Sequence, residues 1–305
     1  MVNGERSMVN GKRLTVNGNE VADFINWLYF FHAWGFAPRF AAIAQVHDCY
    51  ACQTAWLNSF PLEEQTKARE AMKLMKDAKE LLVELEGQLT CQTIFKLFEA
   101  NADGDNLRIG DTIFPLLRQQ YEHEAGKPYL CLSDYVRPLQ SGIKDHVGVF
   151  AATVDDSGLT ETNDSYRKLL IQTISDRLVE ASIEKLHLTV RKEIWGYSPD
   201  ENLSINDLLQ GKYQGIRPAV GYPSLPDQSV NFIIDQLINL QQIGITLTEN
   251  GAMHPHASVS GLLFSHPQAQ YFSVGRIGED QLKDYSQRRG LPVETMRKFL
   301  AANLS

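Results

Sequence analysis

Arg217 has the most constrained setting of any charged residue in this sequence. It lies in "GIRPAVGYP", residues 215–223, a stretch with two glycines and two prolines. Pro218 disfavours the helical region for the residue before it, so an extended backbone is expected at Arg217. Gly215 and Gly221 permit backbone geometry, or close approach of a ligand, that a side chain would forbid. A guanidinium held this way is a planar fork suited to a carboxylate or phosphate. The backbone groups of Ala219 and Gly221 are then placed to read a base or an amine. The same nine residues also suit a proline-rich turn with a solvent arginine, and spacing alone leaves the two readings level.

A second group lies on a long helix expected over residues 162–194. Asp176, Glu180, Glu184, His187 and Arg191 fall on one stripe by the 3.6-residue period, opposite an apolar stripe that includes Leu170, Ile174, Leu178, Ala181 and Leu188. Such a run is ordinarily a solvated face, or a set of mutual ion pairs. Glu180 differs in having Val179, Ala181 and Ile183 around it, which suits a carboxylate at the rim of a cleft.

Three motifs resemble cation sites. Cys49-x-x-Cys52 with His47 supplies three ligand types, but a structural zinc site needs a fourth and no second pair has zinc spacing. On a helix the two cysteines share a face, so packing is the expected role, and no metal is expected. His254-Pro255-His256 has no local acidic or thiol partner and reads as surface histidines. A calcium loop opening at Asn101 fails, because the first position is not aspartate and the twelfth is Thr112.

The elements that must carry these groups alternate irregularly. Residues 20–58 look helical, and residues 62–86 form a charged helix ended by Gly87. Residues 91–109 read as a strand or short helix, a turn at Asp103-Gly104-Asp105, and a strand. Residues 113–125 look helical; "YLCLSDYVRP" and "HVGVFAATV" read as strands. A helix is expected over 229–242, then a hairpin of "ASVSGLLFSHP" and "QYFSVGRI" turning at Pro267. Two short helices, 279–289 and 293–302, finish the chain in the manner of a helix-turn-helix. This order predicts an α+β fold, one unit with a central antiparallel sheet flanked by helices. Residues 1–20, with Val-Asn-Gly repeated three times, read as a flexible leader or short hairpins, and residues 21–305 as one domain.

Composition sets the outer limits. The 305 residues are 43% hydrophobic and 22% charged, with net charge −8, which disfavours nucleic acid as the main partner and the final helices as DNA readers. No signal-peptide pattern opens the chain, and its most apolar window, residues 27–46, is interrupted by His32, Pro38 and Arg39. A cytoplasmic protein with reduced thiols at its four cysteines is expected, with no membrane partner.

With these stretches together, the chain resembles the activation (reactivation) domain of cobalamin-dependent methionine synthase. "GIRPAVGYP" is similar to the segment of that domain that binds S-adenosylmethionine. "DRLVEASIEKLHLTVRKEIWGYSPDENLS" looks like its long helix and exit turn, and "ASVSGLLFSHPQAQYFSVGRIGEDQLKDYSQRRG" like its C-terminal hairpin and helix. "INWLYFFHAWG", "LFEANADGDNLRI" and "LSDYVRPLQSGIKDHVGVFAATV" fall in order upstream, so the likeness spans residues 24–303. It implies a curved α+β unit that binds S-adenosylmethionine in a shallow groove and caps a cobalamin domain. There an electron from flavodoxin, or a similar reductant, and the adenosylmethionine methyl return cob(II)alamin to methylcobalamin.

Residue by residue, the resemblance puts Arg217 at the ligand carboxylate and the backbone of Ala219, Gly221 and Tyr222 at the adenine and amino groups. It puts Glu180, Tyr271 and Phe272 beside the ligand. The chain departs from the family pattern at three positions. Asn26 stands for an aspartate that meets the amino end, Gly211 for an acidic residue and Gln228 for a histidine. Losing two carboxylates weakens the attraction for a cationic sulfonium and ammonium, but Asn26 still accepts a hydrogen bond. The family's cobalamin signature, Asp-x-His-x-x-Gly, is absent from the sequence. The resemblance therefore implies a methyltransferase component that works with a cobalamin-binding methionine synthase chain lacking its own activation domain, and that does not make methionine alone. The alternative role is a non-catalytic adenosylmethionine sensor acting with another corrinoid protein. No acid–base residue is called for, because the reduced cobalt is itself the nucleophile.

Overall fold

Residues 147–154 are buried without a break, as a strand covered on both faces must be. In the computed structural model, which describes residues 12–121 and 126–304, that strand lies at the centre of the fold. The chain runs β1 (Lys12–Asn17), α1 (Gly18–Val21), α2 (Trp27–Ala33), α3 (Tyr50–Asn58), α4 (Gln65–Glu84), β2 (Thr90–Asp103), β3 (Asn106–Ile109), β4 (Thr112–Pro115) and β5 (Asp145–Val154). It continues α5 (Ser165–Thr189), α6 (Ile205–Leu209), α7 (Asn231–Ile238), β6 (Thr246–Leu247), β7 (Met253–His254), β8 (Ser258–Leu263), α8 (Glu279–Arg289) and α9 (Val293–Phe299).

The main sheet has the order β4-β3-β2-β5-β8, and every pairing is antiparallel. β2 is long enough to hold two neighbours on one edge: β1 pairs its residues Thr90–Phe95 and β3 pairs Ala100–Asp103. β6 and β7 form a separate ribbon. The fold is α+β, a curled antiparallel sheet flanked by helices.

Alternation along β5 divides the core. Phe150, Ala152 and Val154 face the layer of α4 and α5, with Leu74, Met75, Ile174 and Leu178. Val147, Val149 and Ala151 face the layer of α7, with Ile233, Ile234 and Ile238. α4 buries Ala68, Ala71, Leu74, Met75, Ala78 and Leu81, an i, i+3, i+4 stripe under an otherwise charged surface. A smaller cluster joins α8 and α9 through Leu282, Tyr285, Met296 and Leu300. Among the described residues no helix is long and apolar enough to cross a membrane.

Several local expectations give way to tertiary pairing. Residues 12–17, expected in a flexible leader, are strand β1, because their backbone completes the free edge of β2; the first two Val-Asn-Gly repeats lie outside the described residues. The helical segment 20–58 is instead short α and 3₁₀ turns, broken at Asn26, Gly35 and Pro38. Residues 112–115 are a strand rather than the start of a helix, since β3 offers them a ladder. "YLCLSDYVRP" contains a 3₁₀ turn, Leu132–Tyr135, capped by the Asp134 side chain on the Cys131 N–H at 2.8 Å. β8 forms as expected, but "QYFSVGRI" is not a strand and the hairpin is absent from the described residues.

Candidate functional site

The Arg217 segment runs beside β8 as an irregular extra strand. Ile216 and Phe264 exchange backbone hydrogen bonds at 3.0 and 2.9 Å, Leu262 N–H donates to Pro218 O at 3.1 Å, and Val220 N–H donates to Ser260 O at 2.9 Å. The two backbones approach so closely that a Cβ on Gly261 would stand 2.3 Å from Pro218 O. Gly215 has φ +84°, and its Cβ would stand 2.3 Å from Phe264 O. The glycine at 215 therefore serves the docking of the segment, while Pro218 supplies the extended conformation before it.

This docking aims Arg217 into a groove of ≈ 690 Å³ between α5, the α2 entry and the 271–273 loop. Seven of the eight expected site residues line it: Asn26, Glu180, Arg217, Ala219, Tyr222, Tyr271 and Phe272. Gly221 does not; its N–H is used on Leu225 O at 2.9 Å. Of the departures, Gly211 lines the groove and Gln228 does not. Asn26 caps α2, its Oδ1 accepting the Leu28 N–H at 3.2 Å, so only its remaining lone pair and its amide face a ligand.

Arg217 is held from both sides of the groove. Its Nη2 donates to Glu184 Oε2 at 2.8 Å and Nη1 stands 3.6 Å from Glu180 Oε2. Glu180 Oε1 accepts the Tyr222 hydroxyl at 2.8 Å, and the Tyr271 hydroxyl accepts the Arg217 backbone N–H at 3.0 Å. Burial works against the Arg217 charge, but Glu184, Tyr271, Tyr213 and Glu180 outweigh it and hold the guanidinium well above its ordinary range. Burial, then Glu180, likewise pushes the Tyr222 hydroxyl up. Three buried polar atoms of groove residues make no hydrogen bond among the described residues: Arg217 Nε, Arg177 Nε and Glu184 Oε1. Two guanidiniums and two carboxylates thus meet in one groove.

Arg177 and Tyr213, which the sequence does not mark out, and Glu184, which it places only on the polar stripe, also line the groove. Arg177 and Glu184 flank Glu180 at i−3 and i+4 on α5, and that helical spacing was the available signal. The expected polar stripe is buried rather than solvated at its C-terminal end. Glu184, His187 and Arg191 are 4%, 0% and 0% exposed, and their partners come from other segments. Arg191 pairs with Glu201 at 2.8 and 2.9 Å and lies over the Tyr213 ring at 4.1 Å. His187 Nε2 meets the Tyr197 hydroxyl at 3.2 Å, and its ring packs edge-on against Tyr213, which lines the groove.

Burial first, then the charges of Arg191 and Arg217, lowers the His187 pKa well below 6.5. The folded state keeps this imidazole neutral where the unfolded chain protonates it. Its contribution to stability is therefore complete above about pH 6.5 and is lost as pH falls below that value, by about 1.4 kcal/mol per pH unit. Melting temperatures of wild type and His187→Gln between pH 5 and 8 are expected to show a smaller acid loss in the variant; parallel curves would refute it.

Two comparisons bear on this groove. Residues 18–290 match the family described as "Vitamin B12 dependent methionine synthase, activation domain". The fold is similar to a solved MetH reactivation domain bound to AdoHcy, with 34% sequence identity, a TM-score of 0.85, and coverage of 98% of this chain and 91% of that one.

Proposed function

Because this chain belongs to the family of vitamin B12 dependent methionine synthase activation domains, we propose that it binds S-adenosylmethionine in the Arg217 groove and supports reductive methylation of cob(II)alamin on a partner methionine synthase chain. The observation that carries this reading is the convergence of Arg217, Glu180, Tyr222 and Tyr271 in one groove, in a fold shared with a domain bound to AdoHcy.

The groove fits such a ligand. The Arg217 guanidinium, which lines the groove and is clamped by glutamates, is the donor for the α-carboxylate. Glu180, at the groove wall, places a carboxylate near the ammonium and sulfonium charges. Tyr222 and Tyr271, both half-exposed, line the groove with aromatic surface suited to a cation or a base. The bound ligand supplies the methyl group. The work of this chain is to hold that group in line with a reacting centre and to exclude water, so positioning rather than proton transfer is its catalytic contribution.

The partner is a cobalamin-carrying methionine synthase chain without its own activation domain, and the electron comes from flavodoxin or a similar donor. Mixing this chain with such a partner held as cob(II)alamin, plus flavodoxin, its reductase and adenosylmethionine, is expected to yield the methylcobalamin spectrum only with all components present. The rate is expected to rise with the concentration of this chain, because in this mixture the encounter is bimolecular and not tethered at a roughly millimolar effective concentration. A spectrum that stays cob(II)alamin at saturating concentrations overturns the reactivation role and leaves a ligand-binding sensor.

A further inference from the structure

A second cluster of reactive side chains lies outside the groove. His47, Cys49 and Cys52 each bring one ligand atom within 4.8 Å of the other two. From this cluster we infer a binding site for one thiophilic divalent cation of the Zn²⁺ class.

The packing role expected for the cysteines does not hold. Cys52 is exposed, Cys49 is half-buried, both are free thiols, and no residue of α3 is buried. Something other than the core must account for two thiols and an imidazole that converge at the surface. Cys49 is the N-cap of α3, and its Sγ accepts the Cys52 N–H at 3.3 Å. That bond ties the two cysteines to the first helical turn and places a backbone donor on the sulfur that would carry charge. His47 enters from the preceding loop. The loop is itself fastened to α4, where Lys79 Nζ lies 3.2 Å from Asp48 Oδ2.

A tetrahedral ion with bonds of about 2.0–2.3 Å sets its ligand atoms roughly 3.5–3.8 Å apart. The observed limit of 4.8 Å exceeds that span by only about 1 Å, a distance on the scale of a side-chain rotation. Two thiolates and an imidazole select a soft or borderline cation over Mg²⁺ or Ca²⁺. Binding releases the two thiol protons and forms two metal–sulfur bonds and one metal–nitrogen bond, with water in the fourth position. None of the three residues lines the Arg217 groove, so this site stands or falls apart from adenosylmethionine binding.

The test titrates the reduced, metal-free full chain with Co²⁺ alone, as a spectroscopic substitute for Zn²⁺. One equivalent is expected to produce a thiolate-to-cobalt charge-transfer band and the intense visible bands of a tetrahedral centre, both removed by Zn²⁺. Cys52→Ser and Cys49→Ser are expected to weaken binding at least about tenfold each, and the double variant to lose the charge-transfer band. His47→Ala is expected to keep that band and bind more weakly. The exposed setting of α3 leaves melting temperature as the folding control, expected to be unchanged in metal-free variants. No charge-transfer band while both thiols react as free thiols, or a band that survives in the double variant, overturns the assignment.

Discussion

In Arg217→Ala, adenosylmethionine at a hundredfold excess over the wild-type Kd is expected to give little of the stabilisation it gives the wild type. Linkage at that excess is worth about 2.7 kcal/mol, or several degrees at about 2–4 °C per kcal/mol. Removing a buried, hydrogen-bonded charge that also faces a ligand costs about 2–5 kcal/mol of binding, a loss of roughly thirtyfold or more. The same ligand concentration then stabilises the variant by about 1 kcal/mol or less. The ligand-free variant is itself weakened, because Glu184, with a side chain 5% exposed, loses its 2.8 Å partner. Each shift is therefore read against the variant's own ligand-free melt. Arg217→Lys is not expected to restore binding, since an ammonium lacks the planar fork that makes a two-pronged carboxylate contact. A full shift in Arg217→Ala would remove this arginine from the ligand site.

Glu201→Gln is expected to cost about 3–5 kcal/mol of stability, the usual result of leaving one buried ion without its partner. Arg191 is fully buried and Glu201 is 7% exposed at its side chain, so water cannot replace the lost charge. Arg191 Nη1 already makes no hydrogen bond among the described residues, which leaves the guanidinium little alternative. Glutamine keeps the shape of glutamate, so the loss reports charge rather than a cavity. Urea denaturation checks it, and Arg191→Met combined with Glu201→Leu is expected to recover most of the loss. A cost under about 1 kcal/mol in Glu201→Gln would show that Arg191 finds another partner. Because Arg191 also lies over Tyr213, the pair supports one wall of the groove from behind.

Much of the frame was legible in the sequence where one local signal was enough. The apolar run of β5, the stripe of α4, the long α5 and the stop at Gly290 with φ +65° each follow from periodicity or turn chemistry within a few residues. The stiffness of "GIRPAVGYP" was also local, and so was the hint at Glu180. What the sequence left open needed a partner from far along the chain. Residues 12–17 become a strand only because β2 has a free half-edge some eighty residues later, at Thr90–Phe95. "QYFSVGRI" has strand-forming residues but joins no strand ladder; Val274 N–H instead donates to Pro223 O at 2.8 Å. Glu184, His187 and Arg191 read equally as a wet face until Arg217, Tyr197 and Glu201 fold over them. Burial of charge is a property of what packs opposite, and helical spacing carries no record of it. For the same reason Cys49, Cys52 and His47 were legible as three donors, while only the fold decides that they meet at the surface.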